Sequence, residues 1–154
     1  MLSRLIISVL TLGFTYPALA QSSNYDVRPQ ANRLMAEDIR LNFSGVTQSG
    51  AYNFDAQGVP GNRFTEWHSE AGGILYREGD FTAHGRWSVA RDALCYDYDS
   101  ETITGGCFRI YKIGSCFYFY STRRVSTKDE IMRDYWTARS VPKGQKATCE
   151  DLFS

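Results

Sequence analysis

From residue 46 onward the chain runs in short stretches rich in Tyr, Phe, Trp, Val and Thr, broken by "DAQGVPGN", "SEAGG", "REGD", "VARDA", "SETITGG" and "KIGS". Clusters of Gly, Asp, Asn and Ser between such runs are the punctuation of antiparallel strands. The pattern predicts about eight strands, centred near Tyr52, Thr65, Leu75, Arg86, Tyr96, Ile110, Tyr118 and Trp136. At that spacing the fold class is mainly β, an antiparallel up-and-down barrel or a strongly curled sheet. Ahead of the strands, Ala31, Met35 and Ile39 recur at helical spacing with Leu34 beside them. One N-terminal helix is therefore expected from Pro29, whose missing N–H costs nothing in a first turn, to about residue 42. Residues 126–133, "STKDEIMR", read as a charged connection before the last strand.

Turn positions set which side chains share a face, because neighbours along a strand alternate. A turn at Ile113-Gly114 pairs Tyr111 with Cys116, Ile110 with Phe117, Arg109 with Tyr118 and Phe108 with Phe119. A turn between Ala90 and Ala93 pairs Val89 with Leu94 and Trp87 with Tyr96. Together they gather Trp87, Val89, Leu94, Tyr96, Tyr98, Phe108, Ile110, Phe117 and Phe119 on one apolar face. The opposite face takes Cys107, Arg109, Cys116, Tyr118 and Tyr120, with Ser88 beside Cys95, Arg86 beside Asp97 and His84 beside Asp99. Facing opposite charges are worth about 0.2 to 1 kcal/mol each, which supports this register.

The same register predicts the cysteine chemistry. Cys95 and Cys107 become direct cross-strand neighbours, at the ~5.5 Å Cα separation that a disulfide accepts. Cys116 is four rungs from the position that Cys107 faces, ~13 Å away at ~3.4 Å per residue. It is left to pair with Cys149 in a tail that "VPKG" turns back, giving two disulfides and no thiol for catalysis or metal.

The first twenty residues carry one basic residue, Arg4, an apolar run from Leu5 to Phe14, and an Ala18-Leu19-Ala20 cleavage site. The expectation is a signal peptide over 1–20, a flexible leader over 21–28, and one domain over 29–154 that holds the helix and the disulfide-tied tail. The apolar run is too short to span a bilayer, so no membrane span is expected, and an exported, periplasmic or secreted protein follows. Cleavage removes Arg4 from a chain with 17 basic and 17 acidic residues, leaving a net charge of −1 that gives nucleic acid or an anionic membrane no purchase.

The order of features, "AEDIRLNFSGVT", "YNFDAQG", "GRWSVARDALCYDY" and "GGCFRIYKIGSCFYFY", resembles exported bacterial proteins of the domain-of-unknown-function family numbered 995 and similar small secreted barrels. The likeness covers about residues 31–120. It implies a lipocalin-like barrel and supplies no catalytic residue.

No Gly-x-Ser-x-Gly, phosphate-cradling glycine loop or His-Glu-x-x-His is present, and neither a cofactor nor a catalytic residue is assigned. "TEWHSE" places Glu66, His68 and Glu70 on one strand face, with His84 able to join them, as zinc ligands or an acid-base pair, although a solvent face alternates in the same way. The apolar face offers a candidate lumen of Trp87, Tyr96, Tyr98, Phe108 and Phe117, either filled or walling a pocket. The other face offers a candidate partner surface of Arg109, Tyr111, Tyr118 and Tyr120. The expected function is non-enzymatic binding of a small apolar ligand in the barrel or of an extracytoplasmic protein on the surface. The alternative is inhibition of a hydrolase such as lysozyme, since "SGAYNF" is similar to, and a residue short of, the Ser-Gly-x-x-Tyr of one inhibitor type. A metal-dependent or acid-base enzyme comes third.

Overall fold

The computed structural model describes residues 28, 31–53, 61–123 and 136–148. The expected signal peptide and leader up to residue 27, Pro29, the 126–133 connection and Cys149 lie outside the described residues. The elements are β1 (Asn32–Arg33), α1 (Ala36–Phe43), β2 (Thr47–Tyr52), β3 (Arg63–His68), β4 (Gly73–Glu78), β5 (Phe81–Ala90), β6 (Ala93–Tyr98), β7 (Gly106–Ile113), β8 (Cys116–Ser121) and β9 (Ala138–Pro142). Strands β2 to β9 pair antiparallel in chain order, and β9 closes on β2. The result is an eight-stranded up-and-down barrel, with the two-residue β1 added on β7. No helix among the described residues is long and apolar enough to cross a membrane.

The hairpin from β5 to β6 has the predicted register, with Val89 opposite Leu94, Trp87 opposite Tyr96 and Arg86 opposite Asp97. Its two loop residues, Arg91 and Asp92, both have positive φ, 50° and 56°, as a turn matched to the strands' right-handed twist requires. The hairpin from β7 to β8 turns one residue later than predicted. Gly114, at φ 56°, and Ser115 form its loop, so Ile110 faces Phe119 and Tyr111 faces Tyr118. A shift of two partners preserves the faces, and Phe108, Ile110, Phe117 and Phe119 still point the same way.

The helix is shorter than expected and starts later. Residues 32–33 extend along β7 instead, and Leu34 donates its N–H to the Ile110 carbonyl at 2.9 Å. The N-terminal residue Met35 supplies no side-chain cap. Asp92, from the turn between β5 and β6, accepts the Ala36 N–H at 3.0 Å in its place. Met35 is exposed, while Leu34, Ile39 and Phe43 are buried and close one end of the barrel.

The expected pair of disulfides is corrected to one among the described residues, Cys95–Cys107, which bridges facing positions of β6 and β7. The expected partner of Cys116 lies outside the described residues, and no described cysteine is a free thiol. Cys116 itself is buried in an outer cluster with Tyr118, Tyr120, Trp136 and Val141.

Candidate functional site

The barrel is filled at the helix end and hollow at the other. Phe43 lies 5.0 Å from Phe117, 6.0 Å from Phe119 and 5.4 Å from the His68 ring, sealing the filled half. Beyond it is a cavity of about 280 Å³, lined among others by Tyr52, Phe64, Glu66, Tyr76, Tyr96 and Tyr98. Space arises because small residues, Gly50, Ala83, Gly85, Gly106 and Ala138, take inward positions between the large rings. Alternation of large and small residues is how small barrels shape their interior. Gly50 is required in particular, since a Cβ there would stand 2.4 Å from the Phe64 ring and 2.6 Å from the Arg139 carbonyl oxygen.

Of the predicted lumen residues, Tyr96, Tyr98 and Phe108 line the cavity and Trp87 and Phe117 do not. Trp87 is buried in the filled half, 5.6 Å from His68, with its indole N–H donated to the Ser69 carbonyl at 2.9 Å. Phe117 packs on Phe43, with the Lys112 ammonium 5.2 Å from its ring centre. The predicted outer group also divides. Tyr118 and Tyr120 are only 5% and 3% exposed, Tyr111 is half-buried at 5.2 Å from Tyr120, and Arg109 is exposed. A buried tyrosine offers little free surface, so Arg109 alone of the four is exposed.

The polar residues of β3 turn inward. Phe64, Glu66 and His68 point into the barrel while Trp67 points out, 45% exposed, which inverts the usual placement of polar and apolar side chains. Glu70 and His84, their proposed companions, are exposed. Among the described residues no group of three His, Cys, Asp or Glu side chains could hold a metal ion. The signal that could have revealed β3 is its facing hairpin: Glu66 lies opposite Tyr76 and His68 opposite Ile74, both of which must be inside.

Glu66 is 3% exposed and His68 fully buried, with Glu66 Oε2 3.5 Å from His68 Nε2. That separation suits an ion pair, yet burial pushes both groups to neutrality. The Glu66 carboxyl is raised to about 7 by desolvation, against the hydrogen bond from Tyr98, which favours the carboxylate. His68 is lowered to about 4, again chiefly by desolvation. The hydrogen bonds favour the neutral pair. His68 Nδ1 is 3.3 Å from the Val46 carbonyl, which can only accept, so this nitrogen carries the proton. Nε2 then accepts from the Tyr96 hydroxyl at 3.0 Å, and Tyr96 oxygen is left to accept the Glu66 carboxyl proton. Tyr98 donates to Glu66 Oε1.

A second chain borders the first. Tyr76 donates its single proton to Glu78 Oε2, so the Tyr52 hydroxyl, 2.9 Å from that of Tyr76, donates to it. Burial is the main reason that all four of these phenols resist ionisation, Tyr52 being pushed up to about 12 and Tyr76, Tyr96 and Tyr98 raised further. The rings form a continuous arc, with centroids 5.0 Å apart for Tyr52 and Phe64, 5.8 Å for Phe64 and Tyr76, and 5.7 Å for Tyr76 and Tyr98. The chain matches no protein-family model, no curated protein and no solved structure.

Proposed function

We propose that this is an exported, non-enzymatic protein that holds a small molecule in the hollow half of its barrel. The cavity carries this reading: about 280 Å³, close to the lower bound of the ~300–1,000 Å³ common for small-molecule sites, walled by rings and floored by the Glu66 carboxyl. A purely apolar occupant would leave that floor unused, so the ligand has an apolar body and a polar end. Calorimetric titration with indole, a compact probe of that kind, tests the reading in the wild type and in Ala138→Phe, which fills the cavity from β9. Binding in the wild type that is lost in the folded variant supports it; equal heats in both, or none in either, overturn it. A second reading, an acid-base enzyme working through Glu66, is favoured by a carboxyl poised at about 7 beside a cavity.

A further inference from the structure

The geometry points to a small organic ammonium as the occupant: a primary amine on a compact apolar body, its charged end on Glu66 and its body among Tyr52, Phe64, Tyr76 and Tyr98. This rests on the binding reading and names the ligand class of the same cavity.

The charges that line the cavity are unequal in their surroundings. Among the described residues that line it, Glu66 is the one carboxylate and is buried, and Arg123 is the one cation and is exposed. Water and salt screen a charge at the surface far more than one inside the barrel, so Glu66 decides which sign of ligand is favoured there. The groups around it are neutral: His68 on β3, Gln48 opposite on β2, Tyr76 opposite on β4, and Tyr96 and Tyr98 on β6, with Tyr52 close enough to interact with it. The polar side chains beside its carboxyl are Tyr98, Tyr96 and His68, and no Lys or Arg of the described residues is among them. A buried carboxylate without a cation is costly, and an incoming ammonium supplies one.

Donor and acceptor counts agree. With Tyr98 and Tyr96 donating their protons to Glu66 and His68, the atoms left to accept are Glu66 oxygens and the Tyr96 oxygen. An ammonium brings three donors and can replace the carboxyl proton that otherwise joins Glu66 to Tyr96. The arc of phenol and phenyl faces adds cation–π attraction, worth more in a desolvated site than at a surface. An anion would meet Glu66 and these oxygens with no buried cation of the described residues at the cavity to balance it.

Calorimetry of the full mature chain with 2-phenylethylamine, 2-phenylethanol and 3-phenylpropionate, three probes of nearly one shape, tests the class. The amine is expected to bind at least about tenfold more tightly than the alcohol at pH 8, and the acid more weakly than either. Because the amine needs Glu66 ionised, its affinity should fall about tenfold between pH 8 and pH 6 while that of the alcohol stays level. Glu66→Gln should bring the amine down to the level of the alcohol; the wild-type pH comparison stands even where that variant fails to fold. If the alcohol or the acid binds as well as the amine, or if the amine shows no pH dependence, the ammonium is overturned and the binding reading stands. If none of the three binds and indole does not either, both fall.

Discussion

Near pH 5.5 the folded barrel should hold Glu66 protonated and His68 as the neutral imidazole, whereas in the unfolded chain the carboxyl is ionised and the imidazole is charged. Burial raises Glu66 from 4.5 to about 7, so its favourable contribution is complete below 4.5 and is lost as pH rises through about 7. Burial lowers His68 from 6.5 to about 4, so its contribution is complete above 6.5 and is lost as pH falls through about 4. Between 4.5 and 6.5 the two effects oppose each other, each at ~1.4 kcal/mol per pH unit, and the pair adds no net slope. Removing one partner exposes the other. Relative to the wild type, Glu66→Gln should gain stability with rising pH across this window and His68→Gln should lose it, by about 3 kcal/mol each. Urea unfolding of the three proteins at several pH values measures this, and subtracting the wild type cancels the titration of surface groups. Slopes of the same sign in both variants would refute the reasoning. So would nitrogen NMR shifts showing a protonated His68 ring near pH 5.5 in the folded protein, because the buried pair would then be ionic.

Phe64→Ala should cost about 3 to 5 kcal/mol in urea unfolding, since the ring is buried between Tyr52 and Tyr76, and it should enlarge the cavity enough to admit bulkier probes. Asp92→Ala should cost about 1 kcal/mol by removing the cap on Ala36, and amide exchange should quicken in α1 before it does in the strands. Cys95→Ser with Cys107→Ser should lower stability by about 3 kcal/mol, the chain-entropy value for a separation of 12 residues, seen as a lower urea midpoint under oxidising conditions; an unchanged midpoint would show that the bridge contributes nothing.

What sequence could reveal followed from local rules with short reach. The β5–β6 register was legible because a two-residue loop and side-chain parity fix it together, and Cys95 opposite Cys107 followed from that parity. The slip in the β7–β8 turn did no damage to the faces, since a strand repeats every two residues. Glu66 and His68 were harder, because polarity marks the solvent face of an ordinary strand and this interior is polar at its floor. Parity gives the inward face of Trp87 and Phe117, but depth along the barrel depends on where the helix enters, which parity does not encode. The helix start was lost for a similar reason. A proline at the first turn is a local cue, and here edge pairing with β7 and a cap from a residue 56 positions away outweighed it.

The two residues of β1 lie beside Tyr111 and Lys112, where β7 has already parted from β6, whose pairing with it ends at Leu94 and Phe108. They therefore complete a stretch of wall that the meander leaves unpaired. Hairpins such as β5–β6 can form as soon as their own residues are present, but β1 has no partner until a strand nearly eighty residues later is in place. A chain made or threaded from its N-terminus thus presents the beginning of this domain first and secures it among the last. In kinetic terms residues 32–34 are a latch, and shortening them should speed unfolding more than it slows folding.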